Sequence, residues 1–130
     1  MIPGHVVEYG PRARLYPSGA IGFSTGTHIV AEFSLPCAGD RVSEITLKPA
    51  GKWSTAPGTL EVSVFDARAK RWVKLARNGD LFRMSHPEPA VHGPRNLLQV
   101  RVSIDRGDFL MHDLRVSVRL RQHRDGSRGR

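Results

Sequence analysis

Apolar and polar residues alternate along four stretches of the chain, THIVAEFSL, TLEVSVF, NLLQVRVSID and LRVSVRLR. A period of two over four to eight residues is typical of a β-strand that buries one face. The apolar residues expected to point inward are Ile29, Ala31, Phe33 and Leu35; Leu60, Val62 and Val64; Leu98, Val100, Val102 and Ile104; and Leu114, Val116, Val118 and Leu120. The pattern therefore predicts four amphipathic strands, and weaker alternation predicts other strands at 5–9, 12–16, 42–48, 71–76 and 80–84.

Helical periodicity is missing from the sequence, because no window combines the spacing of an amphipathic helix with a capping residue. Thirteen glycines and nine prolines interrupt the chain at short intervals. Short alternating strands with frequent turn signals are typical of antiparallel sheets that have one solvated face. We predict an all-β fold, a single antiparallel β-sandwich of jelly-roll-like type with about eight strands. The sandwich would span residues 1–121, and a basic, arginine-rich C-terminal tail would span 122–130.

The segment SIDRGDFL joins the last two predicted strands and contains the tripeptide Arg106-Gly107-Asp108, which also occurs in integrin-adhesion motifs. The inward residues are even-numbered on both sides of this segment, so a hairpin between the two strands needs a loop of odd length. That loop is either the tripeptide itself or about nine residues spanning 105–113. We interpret the tripeptide as a turn that uses the conformational freedom of Gly107, and not as an adhesion signal.

The net charge is +8, and arginine outnumbers lysine by 16 to 4. Half of the positive excess falls in residues 113–130, where six arginines accompany two aspartates. We predict a contact surface for an anionic partner, with Arg101 beside the arginines of the last strand. Its residues are Arg101, Arg115, Arg119, Arg121, Arg124, Arg128 and Arg130. The alternative interpretation is a solvated sheet face that ends in a frayed tail.

Aromatic residues bear on the kind of partner. None interleaves with the arginines to stack on bases, and no helix is available for a major groove, so no specific nucleic-acid partner is predicted. Trp53 lies in a predicted Gly/Pro-rich loop, and Trp72 begins a strand after a turn at 66–70. Each indole is a candidate for stacking on a glycan, and the alternative for each is a place at one end of the core.

Signatures of catalysis and metal binding are missing: the sequence has no HExxH, P-loop, GxGxxG or GxSxG motif. His86, Glu88 and His92 share one stretch and could form a metal clip, but a surface loop with two prolines is the preferred interpretation. His112 is even-numbered like the inward residues of the last predicted strand, and it is interpreted as an interior or edge histidine. We predict no catalytic residue, no metal and no cofactor, and therefore no enzyme.

Features that would direct the chain to a membrane or out of the cell are also missing. No run of 18 apolar residues occurs, so no membrane contact is predicted. The stretch MIPGHVVEYG lacks the basic and apolar regions of a secretory signal. Cys37, the single cysteine, cannot form an internal disulfide, which is expected of a protein made in a reducing cytoplasm.

The runs ITLKPAGKWSTAPGTLEVSVFDARAKRWVKL and LLQVRVSIDRGDFLMHDLRVSVRL resemble β-sandwich domains of the galactose-binding-like and jelly-roll kind. Over residues 27–121 the chain also resembles small β-sandwich proteins in the virions of tailed bacteriophages. The resemblance is one of pattern and carries over no binding residue. It implies a non-enzymatic role as a capsid decoration, a tail component or a carbohydrate binder.

Three hypotheses follow. The leading one is a structural or binding protein of a phage-like virion, made in the host cytoplasm, which contacts capsid or tail subunits and forms a homo-oligomer. The alternative is a carbohydrate-binding module that uses an exposed tryptophan. The third is a small glycan-active enzyme whose carboxylates are too scattered to recognise in the sequence.

Overall fold

The computed structural model describes residues 2, 4–54 and 56–121. Within that part of the chain, twelve strands are present. They are β1 (Gly4–Tyr9), β2 (Arg14–Leu15), β3 (Ile21–Phe23), β4 (His28–Ser34), β5 (Val42–Trp53), β6 (Leu60–Asp66), β7 (Arg71–Lys74), β8 (Ala76–Asn78), β9 (Leu81–Ser85), β10 (Val91–His92), β11 (Leu97–Ile104) and β12 (Phe109–Leu120). Two short 3-10 turns lie at Gly39–Arg41 and Glu88–Ala90. None of the described helical segments is long and apolar enough to cross a bilayer.

The strands form two antiparallel six-stranded sheets. Sheet A has the order β1-β4-β11-β6-β7, with β10 also paired to β11, and sheet B has the order β2-β3-β12-β5-β9-β8. The predicted all-β antiparallel sandwich is therefore confirmed. The strand number exceeds the expected eight because β3, β8 and β10 have only two or three residues each, too few for alternation to reveal them.

One hydrophobic core lies between the sheets and consists of the inward side chains of both. The predicted inward residues of β4, β6 and β11 are nearly all in it, since Ile29, Val62, Val64, Leu98 and Val100 are each 0% exposed. Sheet B contributes its own inward residues from β3, β5, β9 and the first part of β12: Phe23, Ile45, Leu47, Phe82, Phe109 and Met111. Apolar burial of this kind is the dominant stabilising contribution to a fold of this size.

Strand β5 is twelve residues long, and Trp53 is its last residue. The expectation that Trp53 lies in a loop is therefore wrong. Pro49 lies within this strand opposite Leu114 of β12, although a proline inside a central strand is unfavourable. Pairing with β9 stops at Leu47, so beyond it β5 has a described neighbour on one side only, as on the edge strands that tolerate proline.

The expected hairpin between the last two strands is wrong, because β11 belongs to sheet A and β12 to sheet B. Residues 105–108 instead cross from one sheet to the other. The carboxylate of Asp105 accepts hydrogen bonds from the backbone N–H groups of Thr59 and Arg106, both at 2.7 Å. These bonds, with the Thr59 N–H first, hold the pKa of Asp105 below its ordinary value of 3.8.

Strand β12 also departs from its predicted parity. A register shift lies between Met111 and Asp113, so His112 occupies a bulge and is exposed. The expectation that His112 points inward is wrong because a bulge inserts one residue and inverts the alternation before it. Leu114, Val116 and Val118 pack against the core as predicted, whereas Leu120 is 50% exposed after a second register shift.

Candidate functional site

An open cleft of about 1090 Å³ lies at the end of sheet B where β2 and β3 meet β12, and we call it the end cleft. Residues from three separate parts of the sequence line it: Arg12, Ala13, Arg14, Tyr16, Pro17, Ser18, Ala20, Gly22, Phe23, Ser24, Ser54, Asp108, Phe109 and Leu110. A concave surface with an aromatic ring and a few convergent polar groups is the usual form of a small-ligand site.

Tyr16 is the exposed aromatic residue of the end cleft. The turn between β2 and β3 holds it in place, because its N–H donates to the carbonyl of Ala20 at 2.9 Å and its carbonyl accepts from the N–H of Gly19, also at 2.9 Å. Its ring lies over Gly22, where a Cβ would come within 2.9 Å of Cε2 of the ring. The missing side chain at Gly22 therefore lets the ring lie against the sheet, and Tyr16 stays 40% exposed.

Asp108 supplies the acidic group of the cleft. The backbone carbonyl of Asp108 accepts hydrogen bonds from the N–H and the hydroxyl of Ser54, at 3.0 and 3.3 Å. The hydroxyl of Thr25 accepts a hydrogen bond from the N–H of Gly107 at 3.0 Å. Gly107 has φ +85°, the left-handed conformation that its predicted turn role required. The tripeptide is thus held by hydrogen bonds where the chain passes from one sheet to the other, and Arg106 and Asp108 are exposed.

Two arginines, Arg12 and Arg14, also line the cleft. Arg12 has φ +66°, a strained conformation for a residue with a side chain. The turn that holds it is fixed by the Thr27 hydroxyl, which donates to the Pro11 carbonyl, and by the Gly10 N–H, which donates to the His28 carbonyl at 2.8 Å. The guanidinium carbon of Arg14 lies 6.0 Å from the ring centroid of Tyr16.

The two tryptophans occupy different environments. Trp53 packs on Phe109, with ring centroids 5.0 Å apart, and is partly buried against the core behind the end cleft. Trp72 lies on the outer face of sheet A, beside its cross-strand partner Phe65 at 5.5 Å. The guanidinium carbon of Arg101 lies 4.9 Å from the Trp72 ring centroid and covers one side of the indole. Neither tryptophan lines the end cleft.

The predicted arginine surface is divided by the fold. Arg101 lies on the outer face of sheet A, whereas Arg115 and Arg119 lie on the outer face of sheet B, so the expectation that Arg101 lies beside them is wrong. The error follows from assigning β11 and β12 to one hairpin. Arg115 pairs with Asp113 at 2.9 Å, and Arg121 pairs with Glu88 at 2.6 Å. Arg124, Arg128 and Arg130, and the whole predicted tail at 122–130, lie outside the described residues.

The histidine-containing stretch forms no metal clip among the residues that the structure describes. There, no three His, Cys, Asp or Glu side chains come together as a metal site would require. Glu88 is engaged by Arg121, and His86 precedes the short 3-10 turn that contains Glu88. This stretch therefore supports the end of β12, because the ion pair joins it to the residue that follows the strand.

Sequence reasoning missed the end cleft and its central residue, Tyr16. The segment YPSGAIGF does carry a local signal, since its Pro and Gly predict a turn and Gly22 leaves room above a strand. That signal does not reveal that Ser54 and Asp108, far away in sequence, come to the same place. Asp108 was noticed only as part of an adhesion-like tripeptide.

No protein-family model matches the chain, and no curated protein matches it. Among solved structures, the chain is similar to one in the crystal structure of accessory secretory proteins 1, 2 and 3 of Streptococcus pneumoniae. The TM-score is 0.54 at 14% identity, over 88% of this chain and 89% of that chain. A low-affinity xylan-binding module from Roseburia intestinalis gives a TM-score of 0.49 at 10% identity, over 93% and 96%. At these identities the similarity concerns the fold alone.

Proposed function

We propose that this protein binds a carbohydrate without altering it chemically, and that the end cleft is the binding site. The observation that carries the proposal is the position of Tyr16. Tyr16 is 40% exposed, and its ring lies over Gly22 and beside the Arg14 guanidinium, in a concave surface that also presents serine hydroxyls, one carboxylate and the guanidinium of Arg12. A glycan needs this combination, because its C–H faces pack on an aromatic ring while its hydroxyls form hydrogen bonds at the ring edge.

The polar groups of the cleft match the hydroxyls of a sugar. Serine hydroxyls at 18, 24 and 54 can both donate and accept, the Asp108 carboxylate accepts, and the guanidinium groups donate. The β2–β3 turn holds the backbone of Tyr16 and Ser54 holds the backbone of Asp108, so little backbone freedom is lost when a ligand binds. The cleft therefore provides a preorganised surface of the size that an oligosaccharide needs.

Binding without hydrolysis is supported by the carboxylates available. Glycoside hydrolysis generally uses two carboxyl groups that flank the scissile bond. Among the described residues that line the end cleft, Asp108 is the one carboxylate. Asp105 lies nearby in sequence, but its carboxylate is engaged by the backbone N–H groups of Thr59 and Arg106.

The test is a binding screen on a panel of oligosaccharides, followed by titration of the best ligand with the wild type and Tyr16→Ala. We expect Tyr16→Ala to weaken binding at least tenfold, about 1.4 kcal/mol, because the stacking surface is lost. Tyr9→Ala is the matched control, since Tyr9 is 43% exposed but lies on β1 of sheet A. Unchanged affinity of Tyr16→Ala, or a panel in which nothing binds, would contradict the proposal.

The virion-component and homo-oligomer hypotheses stay predictions. Their contact surface was to be one stripe of arginines, and the fold divides Arg101 from Arg115 and Arg119. Its other part, at 122–130, lies outside the described residues. Carbohydrate binding is preferred because the end cleft supplies aromatic, hydroxyl and charged groups in one concave place.

A further inference from the structure

We infer that the glycan is acidic. One of its uronic-acid carboxylates pairs with Arg12 and Arg14 in the end cleft, and the rest of the glycan lies along the outer face of sheet B. This inference rests on the proposed carbohydrate binding and names the class of glycan. It is drawn from the charges in the cleft and on the surface that continues from it.

Two arginines of the cleft are available to bind an anion. Arg12 and Arg14 are both exposed, and neither forms an ion pair with any residue in the described ranges. A guanidinium group presents paired N–H donors that fit a carboxylate in a bidentate manner. Arg14 is close enough to Tyr16 that one sugar ring can stack on the phenol while its carboxylate meets the guanidinium.

Asp108 favours an acidic glycan over a DNA strand as the ligand of the cleft. A carboxylate in the cleft accepts hydrogen bonds from sugar hydroxyls, which each uronic-acid unit carries beside its carboxylate and which a DNA strand lacks along its length. A uronic-acid residue offers hydroxyls as well as one carboxylate, so it can satisfy Asp108 and the arginines together. On the described outer face of sheet B, Tyr16 is the aromatic residue, and no series of rings is available for bases to stack on.

The outer face of sheet B continues away from the cleft. Cross-strand partners share a face, so Arg14, Gly22, Leu110 and Lys52 form one outward row across β2, β3, β12 and β5. Further outward cations lie along β12, β5 and β9. We call the outward cations of sheet B the basic face, and its residues are Arg14, Lys48, Lys52, Arg83, Arg115 and Arg119.

Some cations of the basic face are already paired, and others are available to a ligand. Lys48 pairs with Asp80 at 3.4 Å, and Arg115 pairs with Asp113 at 2.9 Å. Lys52, Arg83 and Arg119 are exposed and form no ion pair with a described residue. The acids on this face are Glu44, Asp113 and Asp80, the partner of Lys48, against six cations, so the positive charge continues from the cleft across the sheet. An anionic chain that begins in the cleft would therefore find cations along its path.

The experiment compares uronic-acid oligomers with their own carboxyl-reduced, neutral forms at equal length. The proteins are the wild type, the double variant Arg12→Gln/Arg14→Gln and the double variant Arg68→Gln/Arg71→Gln. The last is the matched control, because both arginines are exposed and belong to sheet A: Arg68 lies in the turn before β7, and Arg71 is the first residue of β7. A third double variant, Lys52→Gln/Arg119→Gln, tests the basic face with short and long oligomers.

We expect at least one uronic-acid oligomer to bind tenfold or more tightly than its reduced form, and this preference to weaken in high salt. The cleft double variant should abolish the preference, and the control double variant should retain it. Lys52→Gln/Arg119→Gln should lower the affinity for long oligomers about threefold and leave short ones unchanged. That difference between lengths would support the path along sheet B.

Several results would overturn the inference. Equal binding of the charged and reduced oligomers would show that the cleft takes a neutral glycan, so the proposed function would stand and the acidic class would fail. Binding of polyphosphate or single-stranded DNA as tight as that of any uronic-acid oligomer would show general polyanion attraction. If no glycan of either kind binds, the proposed function itself fails, and the inference fails with it.

Discussion

The outer faces of sheets A and B differ in how they present aromatic and charged side chains. On sheet A, Trp72 lies beside Phe65 and beneath Arg101, and acidic residues such as Glu32 and Glu61 balance the nearby cations. On sheet B, cations predominate, and the exposed aromatic ring lies over a glycine at the mouth of a cleft. An exposed position on a strand is therefore not enough for ligand stacking. What matters is whether a neighbouring side chain already covers the ring.

The same comparison explains why the two tryptophans were poor guides to the site. Trp53 supports the cleft from behind, through Phe109, and Trp72 is packed by residues of its own sheet face. Tyr16 comes closer to this requirement than the tryptophans do, because Gly22 gives its ring a flat support and the Arg14 guanidinium carbon lies 6.0 Å from its centroid, against 4.9 Å for Arg101 and Trp72. A glycine within a short strand was thus more informative about the site than a tryptophan.

The largest expected difference between the two regions is in stability. Trp53→Ala should lower the free energy of unfolding by about 3 kcal/mol, since it opens a cavity against Phe109 and the core. Trp72→Ala should cost about 1 kcal/mol, because it removes packing on an exposed face. Urea unfolding followed by circular dichroism measures both. Equal losses would mean that the sheet A aromatic cluster is as much a part of the core as Trp53.

An intermediate effect is expected from adding a methyl group beneath the stacking ring. Gly22→Ala should displace the Tyr16 ring and weaken glycan binding about fivefold, near 1 kcal/mol. Stability should change little, because the Cβ meets the far end of a flexible side chain. Titration of the best glycan measures this, and Ser103→Ala on sheet A is a control for a small outward strand residue. If Gly22→Ala bound the glycan with wild-type affinity, the result would contradict stacking of the glycan on Tyr16.

The smallest effect concerns the crossing that joins the two sheets, through Asp105. Its pKa lies below 3.8 in the folded protein, so its stabilising contribution is present above that value and is lost as the pH falls through the folded pKa. The melting temperature of the wild type should therefore exceed that of Asp105→Asn above pH 4, and the gap should narrow at lower pH. Asp40→Asn, in an exposed 3-10 turn, is the control. A gap that does not change with pH would show that Asp105 acts without its charge.

Alternation along the chain was sufficient to predict which residues of β4, β6 and β11 are buried, because the side-chain period of a strand is a local property. In β12 it was right for Leu114, Val116 and Val118 and failed at the two ends, where the bulge at His112 and the later register shift invert the pattern. It also could not reveal β3, β8 and β10, which contain too few positions to show a period. The all-β sandwich was thus predictable, whereas the register of its last strand was not.

The sequence by itself determined the fold class, the composition of most of the core and the positive charge of the chain. The tertiary structure decided which strands are neighbours, and with it the separation of Arg101 from Arg115 and Arg119 onto opposite faces. It also decided the end cleft, where Arg12, Tyr16, Ser54 and Asp108 meet. The physical reason is that strand pairing joins segments far apart in the chain, and alternation specifies which way a residue points but not which strand lies beside it.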